Sequence, residues 1–250
     1  MSFRIIARLD VKPPNLVKGV HLEGFRKIGD PADFASKYYE QGADEINYQD
    51  IIASLYERNN ILELVRKTAK GVFIPITVGG GIRSIEDAKK LLRSGADKVC
   101  INTAALKNPK IIEEIANLFG KQAVVLGVEA KKFNDTWIVM TDNGREHANR
   151  NVDDWVWEAS TFGVGEILLT SIDNEGTMKG FDLDLVKNVL SVTDCPVIAH
   201  GGAGDISDIL GAAKCGASGV AIASILHYKK ITIGEIKKQL QDLNIEIRTQ

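Results

Sequence analysis

The chain repeats itself, and the repeat limits its architecture more than any other feature. The run Val78-Gly79-Gly80-Gly81, followed by Ser94-Gly95-Ala96-Asp97-Lys98-Val99-Cys100-Ile101-Asn102-Thr103, has a counterpart in Ala199-His200-Gly201-Gly202 and Cys215-Gly216-Ala217-Ser218-Gly219-Val220-Ala221-Ile222-Ala223-Ser224. Gly80 and Gly201, Gly95 and Gly216, and Thr103 and Ser224 are each 121 residues apart, and Gly42 and Glu45 meet Gly163 and Glu166 at the same spacing. Asp10 finds Glu129 two residues short of it. A duplication of this length makes each copy one half of a fold, roughly 1–121 and 122–250.

Within each half, short β-branched runs alternate with stretches of helical period. The strand candidates are 4–9, 45–49, 74–78, 98–101, 123–128, 166–170, 196–199 and 219–222; the helical ones are 31–40, 61–68, 85–94, 109–118, 152–162, 183–192, 206–214 and 233–243. Such alternation demands a parallel sheet, and eight β-α units favour closure, so the expected class is α/β: a (β/α)8 TIM barrel built from two repeated half-barrels. No Pro- or Ser-rich linker breaks the series, so one domain is expected. Two connections are longer than the rest, from Asp10 to Asp30 and from Lys131 to Asn151, the second holding Asn143-Gly144 between segments able to pair as a hairpin. Long loops after barrel strands lie on the active face.

A formal charge of −2, with Lys and Arg scattered along the chain, leaves no basic footprint for nucleic acid. The first residues lack the basic start and apolar run of a signal peptide, and no later run has membrane-spanning length, so a cytoplasmic protein is expected. Cys100, Cys195 and Cys215 have no metal-binding or redox spacing and read as buried thiols. No ligand cluster or dinucleotide fingerprint implies a metal or a cofactor.

In each half a glycine run ends one strand, and a short hydroxyl-bearing segment ends the next. Glycines let backbone approach closely, and free N–H groups at a helix start donate to anions. Gly80, Gly81, Asn102 and Thr103 in one half, and Gly201, Gly202, Ala223 and Ser224 in the other, are therefore candidate phosphate cradles. Two facing cradles imply a small molecule phosphorylated at both ends. Asp10 and Glu129 end the first and fifth strands, opposite one another in an eight-stranded barrel, and form a candidate acid–base pair. Counting back from Asp10 by twos puts Arg8, Ile6 and Arg4 on the same inward face. Arg4 then joins Glu45, Lys98 and Glu166 at the barrel floor, where a ring of matched charge fits either a structural plug or a gate.

The residues just named, with Arg4-Ile5-Ile6-Ala7, Leu9-Asp10-Val11-Lys12, Leu16-Val17-Lys18-Gly19, Gly29-Asp30-Pro31, Gly165-Glu166-Ile167-Leu168-Leu169-Thr170-Ser171-Ile172-Asp173 and His200-Gly201-Gly202-Ala203-Gly204, resemble the cyclase subunit of imidazole glycerol phosphate synthase over nearly the whole chain. The resemblance implies a heterodimer in which a glutaminase docks at the N-terminal face of the barrel. Ammonia then passes through the barrel and converts a bisphosphorylated aminoimidazole carboxamide nucleotide to imidazole glycerol phosphate in histidine biosynthesis. It makes Arg4, Glu45, Lys98 and Glu166 the ammonia gate and Asp10 a catalytic carboxylate, puts Lys18 on an active-site loop, and adds Glu175, Gly176 and Thr177 to the substrate-binding positions.

Departures from the family pattern gather on the substrate side. The family has Asp where this chain has Glu129 and Glu175, Cys at Arg8, and Ser at His200. An arginine beneath Asp10 would hold that carboxylate ionised and hinder it as a proton donor. Asn47 and Gln49 add to a polar inner wall. The departures leave two other readings open: a paralogous ammonia-channelling subunit that helps amidinate a nucleotide-linked sugar for surface polysaccharide, and a non-catalytic scaffold for a glutaminase.

Overall fold

The computed structural model describes residues 2–52 and 61–248. Its strands are β1 (Arg4–Lys12), β2 (Asn15–Val20), β3 (Glu23–Gly29), β4 (Glu45–Asp50), β5 (Ile76–Gly79), β6 (Lys98–Ile101), β7 (Val124–Phe133), β8 (Thr136–Thr141), β9 (Glu146–Asn151), β10 (Glu166–Ser171), β11 (Val197–His200) and β12 (Gly219–Ile222). Eight of them pair in parallel in the order β1-β4-β5-β6-β7-β10-β11-β12, and β12 pairs with β1 in parallel to close the barrel. The others form two antiparallel hairpins, β2–β3 continuing from β1 and β8–β9 continuing from β7, at the two long connections.

Helices α1 (Pro31–Glu40), α2 (Ile61–Thr68), α3 (Ile85–Arg93), α4 (Thr103–Lys107), α5 (Lys110–Phe119), α6 (Val152–Thr161), α7 (Leu183–Leu190), α8 (Ile206–Cys215), α9 (Ser224–His227) and α10 (Ile233–Asp242) connect and surround the strands. Local chemistry sets their ends. Ser84 accepts from the Asp87 N–H at the start of α3, and Asp205 forms a capping box with Asp208 at the start of α8. Ser84 and Asp205 are again 121 residues apart, so the caps repeat with the glycines. Gly216 closes α8 at φ 103°, a conformation that a Cβ disfavours.

The strands are buried on both faces, as parallel barrel strands must be; every residue of β10 is buried. Outward side chains such as Tyr48 pack against the helices, whose own Tyr38 of α1 and Trp155 of α6 are also fully buried. Ile6, Cys100, Val125, Leu168, Ile198 and Ala221 form a separate apolar layer inside the barrel, where each large side chain contributes about 1.5–3 kcal/mol by leaving water.

The structure adjusts three expectations. The third barrel strand spans Ile76–Gly79 rather than 74–78, because Ile74 lies before the pairing begins. Short helices begin at Thr103 and Ser224, too brief to carry an amphipathic period. Of the three thiols only Cys100 is buried; Cys195 and Cys215 are half-buried at the barrel surface.

Candidate active site and charged floor

Both glycine turns open at the carboxyl ends of the barrel strands, on one face. Gly80 and Gly81 follow β5 with φ of 94° and 71°; Gly201 and Gly202 follow β11 with φ of 97° and 109°. A Cβ on Gly80 would lie 2.2 Å from the Asp50 carbonyl oxygen, and one on Gly202 would lie 1.9 Å from that of Gly180, so only glycine fits either turn. Asn102 and Ala223 stand at the N-caps of α4 and α9, and neither start has a side-chain cap.

The two cradles differ in the space beside them. The first opens on a cavity of about 290 Å³ lined by Gly80, Gly81, Asn102, Thr103, Glu129 and Arg8, among others. The second, formed by Gly201, Gly202, Ala223 and Ser224, has only about 10 Å³, room for about one water. Lys18, Glu175, Gly176 and His200 line it as well. Thr177 does not line it: its hydroxyl donates 2.7 Å to the Asn174 carbonyl within a turn.

The hairpins roof this face. Glu175 pairs with Lys18 and accepts from the Leu22 N–H at 2.9 Å, holding β2–β3 down. Gly176 sits against Gly19, where a Cβ would come within 2.5 Å of the Gly19 carbonyl oxygen. Asn143, in the β8–β9 turn, donates to the Leu22 carbonyl at 3.3 Å, and Leu22, Met140 and Ile172 pack together where the hairpins meet.

The opposed carboxyl groups have different surroundings. Asp10 is fully buried, with Arg8 Nε donating to Oδ1 at 2.9 Å and Lys18 Nζ 3.5 Å from Oδ2. Burial works against its ionisation, yet the charges of Arg8 and Lys18 and the Arg8 hydrogen bond hold its carboxyl well below the usual carboxylate range. Glu129 lines the cavity and accepts from the Gly144 N–H at 2.8 Å. Burial pushes it up to about 7, against the opposing pull of Arg8 and Gly144. His200 donates from Nδ1 to the Ala221 carbonyl at 2.7 Å, and burial followed by the Arg8 charge keeps the ring neutral. Its Nε2 is buried without a hydrogen-bond partner among the described residues.

At the other end of the barrel the four predicted charges meet in a closed ring. Lys98 Nζ lies 2.7 Å from Glu45 Oε2 and 3.0 Å from Glu166 Oε2; Arg4 pairs with Glu166 and lies 3.5 Å from Glu45. Burial raises the Glu45 carboxyl above its usual range despite Lys98 beside it. The apolar layer of Ile6, Val125 and Leu168 separates this floor from the cavity.

Several residues at the site were not singled out from the sequence. Thr170 accepts from Arg8 Nη1 at 3.2 Å, and Thr77 donates to Glu45 Oε1 at 2.5 Å. Gln49, which the sequence puts on a polar inner wall with Asn47, lines the cavity and donates to Asn47 at 2.9 Å. Counting inward positions by twos from Glu166 reaches Thr170, so strand parity carried that signal. Asp142 and Asn143 also line the cavity, but their place depends on how the hairpin folds back.

Among the described residues no group of His, Cys, Asp and Glu could hold a metal ion, and no helix is long and apolar enough to cross a membrane.

Residues 4–232 match the family model described as "Histidine biosynthesis protein". A protein of Legionella pneumophila named "Imidazole glycerol phosphate synthase subunit HisF" is 63% identical over 208 residues, covering 83% of this chain and 98% of its own. The proteins of the same name from Streptococcus sanguinis and Corynebacterium diphtheriae are 48% and 44% identical, covering 98% and 100% of this chain and 98% and 99% of their own. With the barrel closed, the glycine turns on one face and those relatives matched end to end, the chain belongs to the histidine biosynthesis protein family, beside its imidazole glycerol phosphate synthase HisF subunits.

Proposed function

We infer that this chain is the cyclase subunit of an imidazole glycerol phosphate synthase, using ammonia from a glutaminase partner to turn a bisphosphorylated aminoimidazole carboxamide nucleotide into imidazole glycerol phosphate in the cytoplasm. The observation that carries the reading is the axial stacking of three layers: a charged ring at the floor, an apolar layer above it, and a cavity holding a glycine cradle and a catalytic carboxyl at the top. A neutral ammonia molecule can cross an apolar layer that an ammonium ion cannot. Arg4, Glu45, Lys98 and Glu166 then act as the gate, and the partner docks on the N-terminal face around them.

At the carboxyl face, the cradle of Gly80, Gly81, Asn102 and Thr103 takes one phosphate by backbone N–H and hydroxyl donors. Gly176, Gly201, Gly202, Ala223 and Ser224 take the other once the β2–β3 hairpin lifts Lys18 away from Glu175. The reacting middle of the substrate then lies between Asp10 and Glu129, which supply charge and proton transfer. The two cradles belong to half-barrels 1–121 and 122–250 of one domain. The relatives' names, matched over nearly the full length, set this reaction ahead of amidination of a nucleotide-linked sugar and ahead of an idle scaffold.

The test is turnover of the bisphosphorylated nucleotide by the purified chain with ammonium salt, followed as imidazole glycerol phosphate. Formation that disappears in Asp10→Asn supports the reading; a folded chain that binds a glutaminase but forms no product overturns it.

A further inference from the structure

Asp10 and Glu129 are equivalent in the repeat but not in their partners: Asp10 has Arg8 as a hydrogen-bonded ion pair and Lys18 at 3.5 Å, and Arg8 is the one that reaches toward both carboxyl groups. The Arg8 side chain leaves β1 and reaches across the barrel interior, donating from Nε to Asp10 and from Nη1 to Thr170 on β10. Thr170 is the register neighbour of Glu129 on one side and of His200 on the other. The guanidinium therefore lies beneath the gap between the two carboxyl groups while bonding only one of them. A guanidinium does not release its proton in a protein, so this cation is permanent.

We propose that Arg8 is a positioning residue that divides the work of the two carboxyl groups, fixing Asp10 as a standing anion and leaving Glu129 as the group that takes up and gives back the proton. The proposal rests on the reading of these two residues as the acid–base pair. Facing Asp10 are Arg8 from its own strand, Lys18 from β2, Glu175 from the loop after β10, His200 from β11 and His227 from the end of α9. Lys18 and Glu175 offset one another, and both imidazoles are held neutral by burial. Facing Glu129 are Arg8, Asp10 and Asp142 of the β8–β9 turn, while β6 and β10 offer only the uncharged Cys100 and Thr170. Glu129 has no ion pair within 4.0 Å among the described residues, only the Gly144 N–H.

The division gives a balanced step. As the ammonia nitrogen forms its new bond to carbon it becomes cationic, and the nearby Asp10 carboxylate steadies it. Ionised Glu129 takes one proton from that nitrogen and passes it to the group whose bond to the substrate breaks. The carboxyl ends the cycle as it began, and Asp10 never changes charge.

Arg8→Met and Arg8→Lys, made in protein carrying ¹³C-labelled Asp and Glu carboxyl groups, test this through the pH dependence of the carbon shifts, with Asp10→Asn and Glu129→Gln giving the assignments. In the parent protein Glu129 should titrate near neutrality and Asp10 should show no transition within the ordinary carboxylate range. Arg8→Met should raise the proton affinity of Asp10 by about tenfold to a thousandfold and add a second ionisation to the pH profile of kcat/KM with ammonium salt. Arg8→Lys should keep Asp10 low. Coincident midpoints for the two carboxyl groups in the parent protein, or an Asp10 midpoint unmoved in Arg8→Met, overturn the proposal. If Arg8→Met does not fold, the parent midpoints and Arg8→Lys still decide. The shifts need no substrate, so separated midpoints in a chain inert toward the bisphosphorylated nucleotide would uphold the role of Arg8 and reject the substrate.

Discussion

Lys98 extends its ammonium to within 2.7 Å of the Glu45 carboxylate, inside the barrel and one apolar layer away from the cavity. Lys98→Met breaks the ring at its shared cation, since Glu166 also relies on that nitrogen at 3.0 Å. Two carboxylates would then share Arg4 as their cation, with the Thr77 hydroxyl still donating to Glu45, at a cost of about 3 kcal/mol. Turnover with ammonium salt, which can enter from solvent, should stay within about threefold of the parent. Glutamine-dependent turnover with the glutaminase should fall at least tenfold relative to glutamine hydrolysed. Product and glutamate counted in the same reaction check the coupling.

Asp10→Asn removes the charge that Arg8 was folded against. The guanidinium stays buried with Thr170 and a neutral amide, so denaturant titration should register a loss of about 3 kcal/mol along with loss of turnover. The double variant Arg8→Met with Asp10→Asn should recover most of that stability and none of the activity.

Gly202→Ala puts a methyl group where only the Gly180 carbonyl oxygen has room, at a backbone φ of 109°. The turn must shift, costing about 2 kcal/mol in stability. The KM for a substrate phosphorylated at both ends should rise at least tenfold. Gly211→Ala, a helical position whose Cβ would come no closer than 3.3 Å to the end of the Leu183 side chain, is the control and should leave KM unchanged.

Stability should also respond to pH through Glu129. The unfolded chain releases this proton near its ordinary 4.5 and the folded chain near 7, so the folded state holds the extra proton in between. Stability therefore declines as pH rises through that window, by about 2 kcal/mol after allowing for solvent at the cavity mouth. Glu129→Gln should flatten the decline and be the more stable protein at pH 8. Asp10 acts in the opposite sense: its contribution is complete above the usual carboxylate range and disappears only in stronger acid. Thermal denaturation at several pH values separates the two.

The barrel and its floor were legible because their signals are periodic. Strand parity carried Arg4, Glu45, Lys98 and Glu166 to one level, and the repeat put Gly80 and Gly201 on one face. The roof was less so. Asn143-Gly144 marked a hairpin, but its contact with Leu22 depends on how two separate excursions lean together. The narrowness of the second cradle was also hidden, since Lys18 and Glu175 are distant in sequence and pair only after the first hairpin folds over the barrel mouth. Parity put Arg8 beneath Asp10, but its bond to Thr170 depends on the width of the closed barrel.

The two hairpins that meet through Asn143 and Leu22 stand outside the ring of eight strands. Insertions, deletions or exchanges in them leave every barrel pairing in register. Natural variation can therefore rewrite which molecules are admitted at the top while the charged floor below is inherited untouched.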